Sequence, residues 1–255
     1  MQRNNRKHII GSPSDQASLL FEKLKEKIGS TDEIADEAAR RLATEQQLTS
    51  PKLRRQFSAL VQRTEQLCYE IYLSRQNRFG EEVLREFLPT AGDKPVFEIL
   101  DRLYLSVSQS RKTRAGQTFE ATIRGLFRQC GYPFQEQCIV NGKPDFLMPN
   151  EAHYRKFATD CIIFTAKRTI RERWRQIATE GTRGKALYLA TIDDGVSSKQ
   201  AEEMLQNRIY LVLPHKLKSE IEAYKKAPNV ISFEDFFTDH LNPAMDRWRR
   251  AGVVS

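Results

Sequence analysis

From Asp15 to about Ser74 the apolar residues recur at three- and four-residue spacing. Leu19, Leu20, Leu24 and Ile28 form one stripe, Thr31 is placed to cap a second helix running through Leu42, and Ser50-Pro51 opens a third carrying Leu53, Phe57, Leu60, Val61 and Leu67. A face that repeats every 3.6 residues predicts an N-terminal helical layer. A connector containing Gly80, Pro89, Gly92 and Pro95 follows. The next helix is predicted from about Thr113 to Cys130, with Phe119, Ile123, Leu126 and Phe127 on one face and Gly131 just past its end. Then the period drops to that of strands. Gln135 to Val140, Lys143 to Met148, Asp160 to Ala166, Ala186 to Ile192 and Arg208 to Leu213 are short runs rich in Ile, Val, Phe, Leu and Tyr, bounded by Gly, Pro, Asn and Asp. Amphipathic stretches at Thr169 to Thr179 and Val196 to Gln206 separate the later runs, so the second half predicts an α/β sheet flanked by helices. The expected organisation is a helical region over 1–95 and an α/β core over 96–255.

Composition narrows the class. A chain of 255 residues can bury a sizeable core, and it has no run of 18 apolar residues, which predicts a soluble, cytoplasmic protein rather than a membrane one. The four cysteines, Cys68, Cys130, Cys138 and Cys161, have no CxxC or Cys/His ligand spacing; buried free thiols are expected, not a disulfide scaffold or a zinc site. Lys plus Arg total 41 against 33 Asp plus Glu, a net charge of +8 that favours a polyanionic partner. The excess is concentrated. Between Lys167 and Lys185 stand seven basic residues and only two acids, Glu172 and Glu180, a more one-sided mixture than a solvated helix face usually shows.

Three features fall in order inside the predicted sheet: Pro144-Asp145, Lys167 at a strand end 22 residues later, and Glu180 a further 13 on. Phosphodiester hydrolysis needs carboxylates to hold a divalent metal against a nonbridging phosphate oxygen, and a cation to orient the attacking water and offset developing charge. Asp145, Glu180 and Lys167 supply those parts. The common PD-(D/E)xK nuclease pattern places its second acid two residues before the lysine. Here that position is Thr165, which cannot serve as an anionic ligand.

The stretch from Pro144 to Glu180, centred on Thr165-Ala166-Lys167-Arg168-Thr169-Ile170-Arg171-Glu172-Arg173, closely resembles the type II restriction endonucleases of the EcoRII, PspGI and SsoII group. The resemblance extends to Arg114-Ala115-Gly116-Gln117-Thr118-Phe119-Glu120 upstream and to Asp194-Gly195-Val196-Ser197 downstream, about residues 105–215 in all. In that group the displaced acid sits 13 residues after the lysine, as Glu180 does. The resemblance implies a restriction-endonuclease-like fold, a Mg²⁺ cofactor held by Asp145 and Glu180, Lys167 as the catalytic lysine, and Glu120 as a further active-site carboxylate.

An Arg at a helix start can bind guanine O6 and N7 in the major groove, while a carboxylate accepts from cytosine N4, so Arg171-Glu172-Arg173 can read adjacent G·C pairs. The resemblance implies that the triplet reads CC/GG half-sites of the CCNGG, CCWGG or CCGG type, with cleavage before the first C leaving 5′ overhangs. It also implies flipping of the central pair onto an aromatic residue of the helical region, for which Phe57, beside Arg54 and Arg55, is the candidate; its helical spacing fits core packing equally well. Gln109, 11 residues before Glu120, is the candidate to contact a central base edge, with an exposed loop glutamine as the alternative. Trp174 is expected to pack. Trp248-Arg249-Arg250 either touches phosphate or packs. One active site cuts one strand, so a homodimer on a palindromic double-stranded DNA site is expected, together with a cognate DNA methyltransferase in the same system. A catalytically silent DNA-binding regulator and a low-specificity repair nuclease are the alternatives.

Overall fold

Five strands form one mixed sheet in the order β1-β2-β3-β4-β5: Phe146–Met148 (β1), Ile162–Ala166 (β2), Leu187–Ala190 (β3), Ile209–Leu213 (β4) and Val230–Ser232 (β5). β1 runs antiparallel to β2 with Phe146 opposite Phe164, and the remaining neighbours are parallel. The structure is a computed structural model, and it describes residues 12–45, 49–140, 143–170 and 186–254.

Strand alternation divides two cores. Phe146, Phe164, Ala166, Tyr188 and Val212 face one side, where they meet Phe57, Phe119, Phe127 and the C-terminal residues Phe233, Phe236 and Trp248. Leu147, Ile163, Leu189 and Leu211 face the other, covered by Tyr154, Met204 and Tyr224. The helices supplying these layers are Pro13–Ile28 (α1), Thr31–Glu45 (α2), Ser50–Arg55 (α3), Phe57–Phe87 (α4), Val96–Gln129 (α5), Glu151–Phe157 (α6), Ser198–Gln206 (α7), His215–Glu220 (α8), Glu222–Lys226 (α9) and, after a π-helical stretch at Phe236–Leu241, Asn242–Arg250 (α10).

α5 joins the helical region to the sheet. Its first half places Ile99, Leu103 and Val107 in a third core with α1, α2 and α4, and its second half places Phe119, Ile123 and Leu126 against the sheet. Leu53, Phe57, Leu60 and Val61, all before residue 96, share that sheet-facing core. Gly125 lets α2 approach closely, since a Cβ there would stand 3.2 Å from the Ala39 Cβ. Gly131, at φ 72°, takes the left-handed turn that ends the helix.

Several sequence expectations are corrected. The connector is α-helical at its Gly80 end, because α4 runs unbroken to Phe87, and α5 starts at Val96 rather than Thr113. Ser30, not Thr31, caps α2: its hydroxyl accepts the Glu33 N–H at 3.1 Å while Glu33 accepts the Ser30 N–H at 2.8 Å. The run from Gln135 to Val140 contributes one bridge, Gln135 to Leu147, instead of a strand. β5 was not expected. Among the described residues no helix is long and apolar enough to cross a membrane, and all four cysteines are free and buried.

Candidate active site

Antiparallel pairing of β1 and β2 brings the start of one beside the end of the other, which sets Asp145 opposite Thr165. The Asp145 N–H donates to Thr165 Oγ1 at 3.3 Å, and the Ala166 N–H donates to Asp145 Oδ2 at 2.8 Å. Lys167 Nζ donates to both carboxylate oxygens, at 3.2 and 3.0 Å. The Lys167 backbone stays in the sheet through its N–H to Ala190 O at 2.9 Å, so only the side chain is free to reorient. Asp145 is largely buried and Lys167 half-exposed. Thr165, at the position of the usual second acid, is fully buried.

Glu120 reaches the same cleft from α5. Burial raises its carboxyl above the usual range, the negative charge of Asp145 raises it further, and Lys167 and Arg124 act in the opposite sense. Arg124 Nη2 donates to Glu120 Oε1 at 2.8 Å, and the same guanidinium holds Glu136. Glu120, Arg124, Glu136, Lys143 and Asp145 line a cleft of about 390 Å³. Two carboxylates lining one cleft are the hard oxygen donor chemistry that Mg²⁺ favours. Among the described residues no three His, Cys, Asp or Glu side chains are grouped closely enough to hold an ion by themselves. Glu180, the further expected ligand, lies outside the described residues, as do Arg171, Glu172, Arg173 and Trp174.

The chain leading to residue 171 is fastened on both sides. Arg168 is ion-paired with Glu65 of α4, and its carbonyl accepts Thr191 Oγ1 at 3.1 Å. The Ile170 N–H donates to Asp193 Oδ2 at 2.7 Å, while Asp193 Oδ1 accepts the Gly195 N–H at 2.9 Å. Thr169 and Ile170 are not helical.

Phe57, the base-stacking candidate whose spacing fits core packing equally well, packs in the core in this structure. It is fully buried, with ring centroids 5.7, 5.1 and 4.8 Å from Phe127, Phe233 and Phe237, so no base can stack on it in this conformation. Arg54 beside it donates to Cys130 O at 3.0 Å and covers the Tyr132 ring. Gln109 is exposed on α5, within a helix rather than a loop. Trp248 packs: it is fully buried, and its indole N–H donates to Asp160. Sequence reasoning missed Arg124, Glu136 and Glu65. Arg124 had a signal, since it stands one helical turn after Glu120 on the same face; Glu136 and Glu65 had none, because their partners are distant in sequence or on another element.

A second cleft, about 400 Å³, lies between α4 and α5 and is lined by Glu65, Tyr69, Tyr72, Arg111, Arg114 and Arg168 among others. Tyr69 is an exposed aromatic there, and Arg114 Nη1 is buried without a hydrogen-bond partner.

The family described as EcoRII C terminal matches residues 77–237. The chain is similar to the type II restriction enzyme EcoRII of Escherichia coli, 36% identical over 135 residues, covering 51% of this chain and 32% of that protein. It is also similar to the type II restriction enzyme SsoII of Shigella sonnei, 30% identical over 165 residues, covering 60% of this chain and 52% of that protein. The chain thus spans about a third and about half of the lengths of these two curated relatives. Its fold matches metal-depleted Ecl18kI in complex with uncleaved, modified DNA, with a TM-score of 0.74 and 26% identity over 96% of this chain and 87% of that one. The PspGI restriction endonuclease in its substrate DNA complex matches at a TM-score of 0.64 and 20% identity, over 88% of this chain and 96% of that one. With the family match running from within α4 to the last helical segments, well over half of the 255 residues, the chain belongs to the EcoRII C-terminal family and has a restriction-endonuclease-like fold.

Proposed function

We propose that this protein is a sequence-specific, Mg²⁺-dependent type II restriction endonuclease that cuts double-stranded DNA at short palindromic CC...GG sites of the CCNGG or CCWGG kind, leaving 5′ overhangs. It acts as a homodimer in a prokaryotic cytoplasm, with a cognate methyltransferase protecting host DNA. The observation that carries this reading is the grouping of Lys167 on Asp145 across the paired ends of β1 and β2, with Glu120 in the same cleft.

Asp145 and Glu180 are the residues that would hold Mg²⁺, with Glu120 supporting the site. When bound, the ion supplies Lewis-acid charge at a nonbridging phosphate oxygen. The Ala166 N–H fixes the orientation of the Asp145 carboxylate. Lys167 orients the water for in-line attack and offsets the charge that develops on phosphate. Arg171 and Arg173 read guanines and Glu172 the paired cytosine, through major-groove contacts. Gln109 reads the central pair. With Phe57 in the core, Tyr69 in the second cleft is an exposed aromatic open to a flipped base.

The test is digestion of DNA of known sequence by the purified protein with Mg²⁺, with every fragment end sequenced. Discrete ends sharing a CC...GG core are expected. Random nicking would replace this reading with a repair nuclease, and specific binding without cleavage would replace it with a silent regulator.

A further inference from the structure

Three carboxylates from three parts of the chain close on one guanidinium. Arg124 Nη2 donates to Glu120 Oε1 at 2.8 Å, Nη1 donates to Asp32 at the start of α2, and Nε donates to Glu136 in the segment that follows α5. The Arg124 side chain is 11% exposed, and its guanidinium lies 6.0 Å from the centre of the ring of Phe146, the residue after Asp145. In a chain of net charge +8, an arginine beside a cleft that receives phosphate is first assigned to DNA. Here each of its three nitrogens is already spent on a carboxylate. We infer that Arg124 is a positioning residue: it does not meet DNA, and it acts through Glu120, whose carboxylate it holds in the cleft shared with Asp145. The inference rests on the nuclease reading, because it states how one carboxylate of that site is aimed.

The arrangement requires a planar fork. Glu120 and Arg124 stand one turn apart on α5, so the helix alone makes them neighbours. The pair has a fixed direction only if the guanidinium is itself held, and Asp32 and Glu136 hold it from outside α5. Glu136 is anchored in turn. Its second oxygen accepts Arg128 Nη2 at 3.2 Å, Arg128 Nη1 donates to Asp36 Oδ2 of α2 at 2.9 Å, and the neighbouring Gln135 bridges to Leu147 of β1. The network therefore spans α2, α5 and the strand that begins beside Asp145. A guanidinium directs its donors outward in one plane and can meet three acceptors on three elements, whereas an ammonium on a flexible stem is a single point charge. Arg124 takes one oxygen of Glu120; among the described residues no hydrogen bond is made to the other, which is left for the cleft.

The test uses the full chain, with Mg²⁺ and a cognate site found by the digestion above, in single turnover. Arg124→Ala should slow cleavage by roughly 10- to 100-fold, the scale of a small misplacement of reacting groups, with specific binding in gel shifts unchanged. Arg124→Lys keeps the charge and guards against a failure to fold, and it should be slowed to a similar degree. The double variant Arg124→Ala, Glu120→Gln should be no slower than Glu120→Gln alone, because a residue that acts only through another adds nothing once the other is gone. A purely structural role for Arg124 would instead multiply the two losses. Independently of cleavage, in protein isotopically labelled at its glutamate carboxyls and free of metal and DNA, the Glu120 resonance, identified by its loss in Glu120→Gln, should be displaced in Arg124→Lys. Cleavage by Arg124→Lys at the wild-type rate, weakened DNA binding that accounts for the loss, multiplying effects in the double variant, or an unmoved Glu120 resonance would each overturn the inference. Failure of the nuclease reading is seen separately, as absence of Mg²⁺-dependent cleavage by the wild type.

Discussion

Glu65 on α4 grips the guanidinium of Arg168, 103 residues further along the chain and one position after Lys167. The helical layer thereby holds the segment that runs on from the candidate catalytic lysine. Burial pushes the Glu65 carboxyl above its usual value, and the charge of Arg168 and its hydrogen bond pull it back only in part.

Replacing Glu65 with Gln should release Arg168 and lower the cleavage rate by roughly 10- to 100-fold, the scale of a small misplacement of reacting groups. Stability should also respond to pH. A carboxyl raised in the folded state makes its full contribution below its ordinary value of 4.5 and loses it as pH rises through the raised one. The wild-type melting temperature should therefore fall relative to that of Glu65→Gln as pH climbs from below 4.5 to neutrality. A constant difference across that range would mean that Glu65 is not desolvated in solution.

Lys167→Ala should reduce cleavage by at least about 10²- to 10³-fold, the typical loss for one preorganised charge-stabilising donor. Specific DNA binding should survive, because the Lys167 backbone remains anchored to Ala190. Gel shifts beside single-turnover cleavage separate the two, and normal turnover by this variant would remove Lys167 from the mechanism.

Phe57→Ala should destabilise the protein by about 3–5 kcal/mol, since it empties a fully buried site among three other phenylalanine rings. Denaturant titration measures this directly. A variant of wild-type stability that had lost only cleavage at cognate sites would instead return Phe57 to the DNA.

Asp160 ties two distant elements together. Oδ2 meets His153 Nε2 of α6 at 2.9 Å and accepts the Trp248 indole N–H at 3.1 Å, while Oδ1 accepts Arg247 Nε of α10 at 2.9 Å. Burial alone would raise its carboxyl, but the hydrogen bonds from His153 and Arg247 outweigh it and hold the group below its usual value. Its contribution is therefore complete above the ordinary 3.8 and lost as pH falls through the depressed value. Asp160→Asn should lower the melting temperature near neutrality and flatten its decline in acid; parallel acid limbs for the two proteins would refute the linkage.

Helices were legible where one face alone was apolar, as in the stripes of α1 and α2. The strands β2, β3 and β4 were legible as short continuous apolar runs bounded by turn residues, since both of their faces are buried. The first half of α5 was not, because Phe97, Tyr104 and Leu105 on its outer face blur the period. β5 has only three residues and is defined by its ladder to β4, whereas Gln135 to Val140 has a strand's composition and one bridge.

Asp145 and Lys167 could be named from the chain because a strand end and a fixed spacing suffice to bring them together, and the family followed from the residues around them. What those residues touch was decided by the fold. Phe57 reads the same in sequence whether it stacks on a base or fills a core, and its three aromatic neighbours come from α5 and the C-terminal segment. Glu65 and Arg168, like Asp160 and Trp248, are ordinary charges and rings until β-sheet and helices pack. Sequence carries local period and motif chemistry, but burial and ion pairing depend on residues that only chain folding makes adjacent.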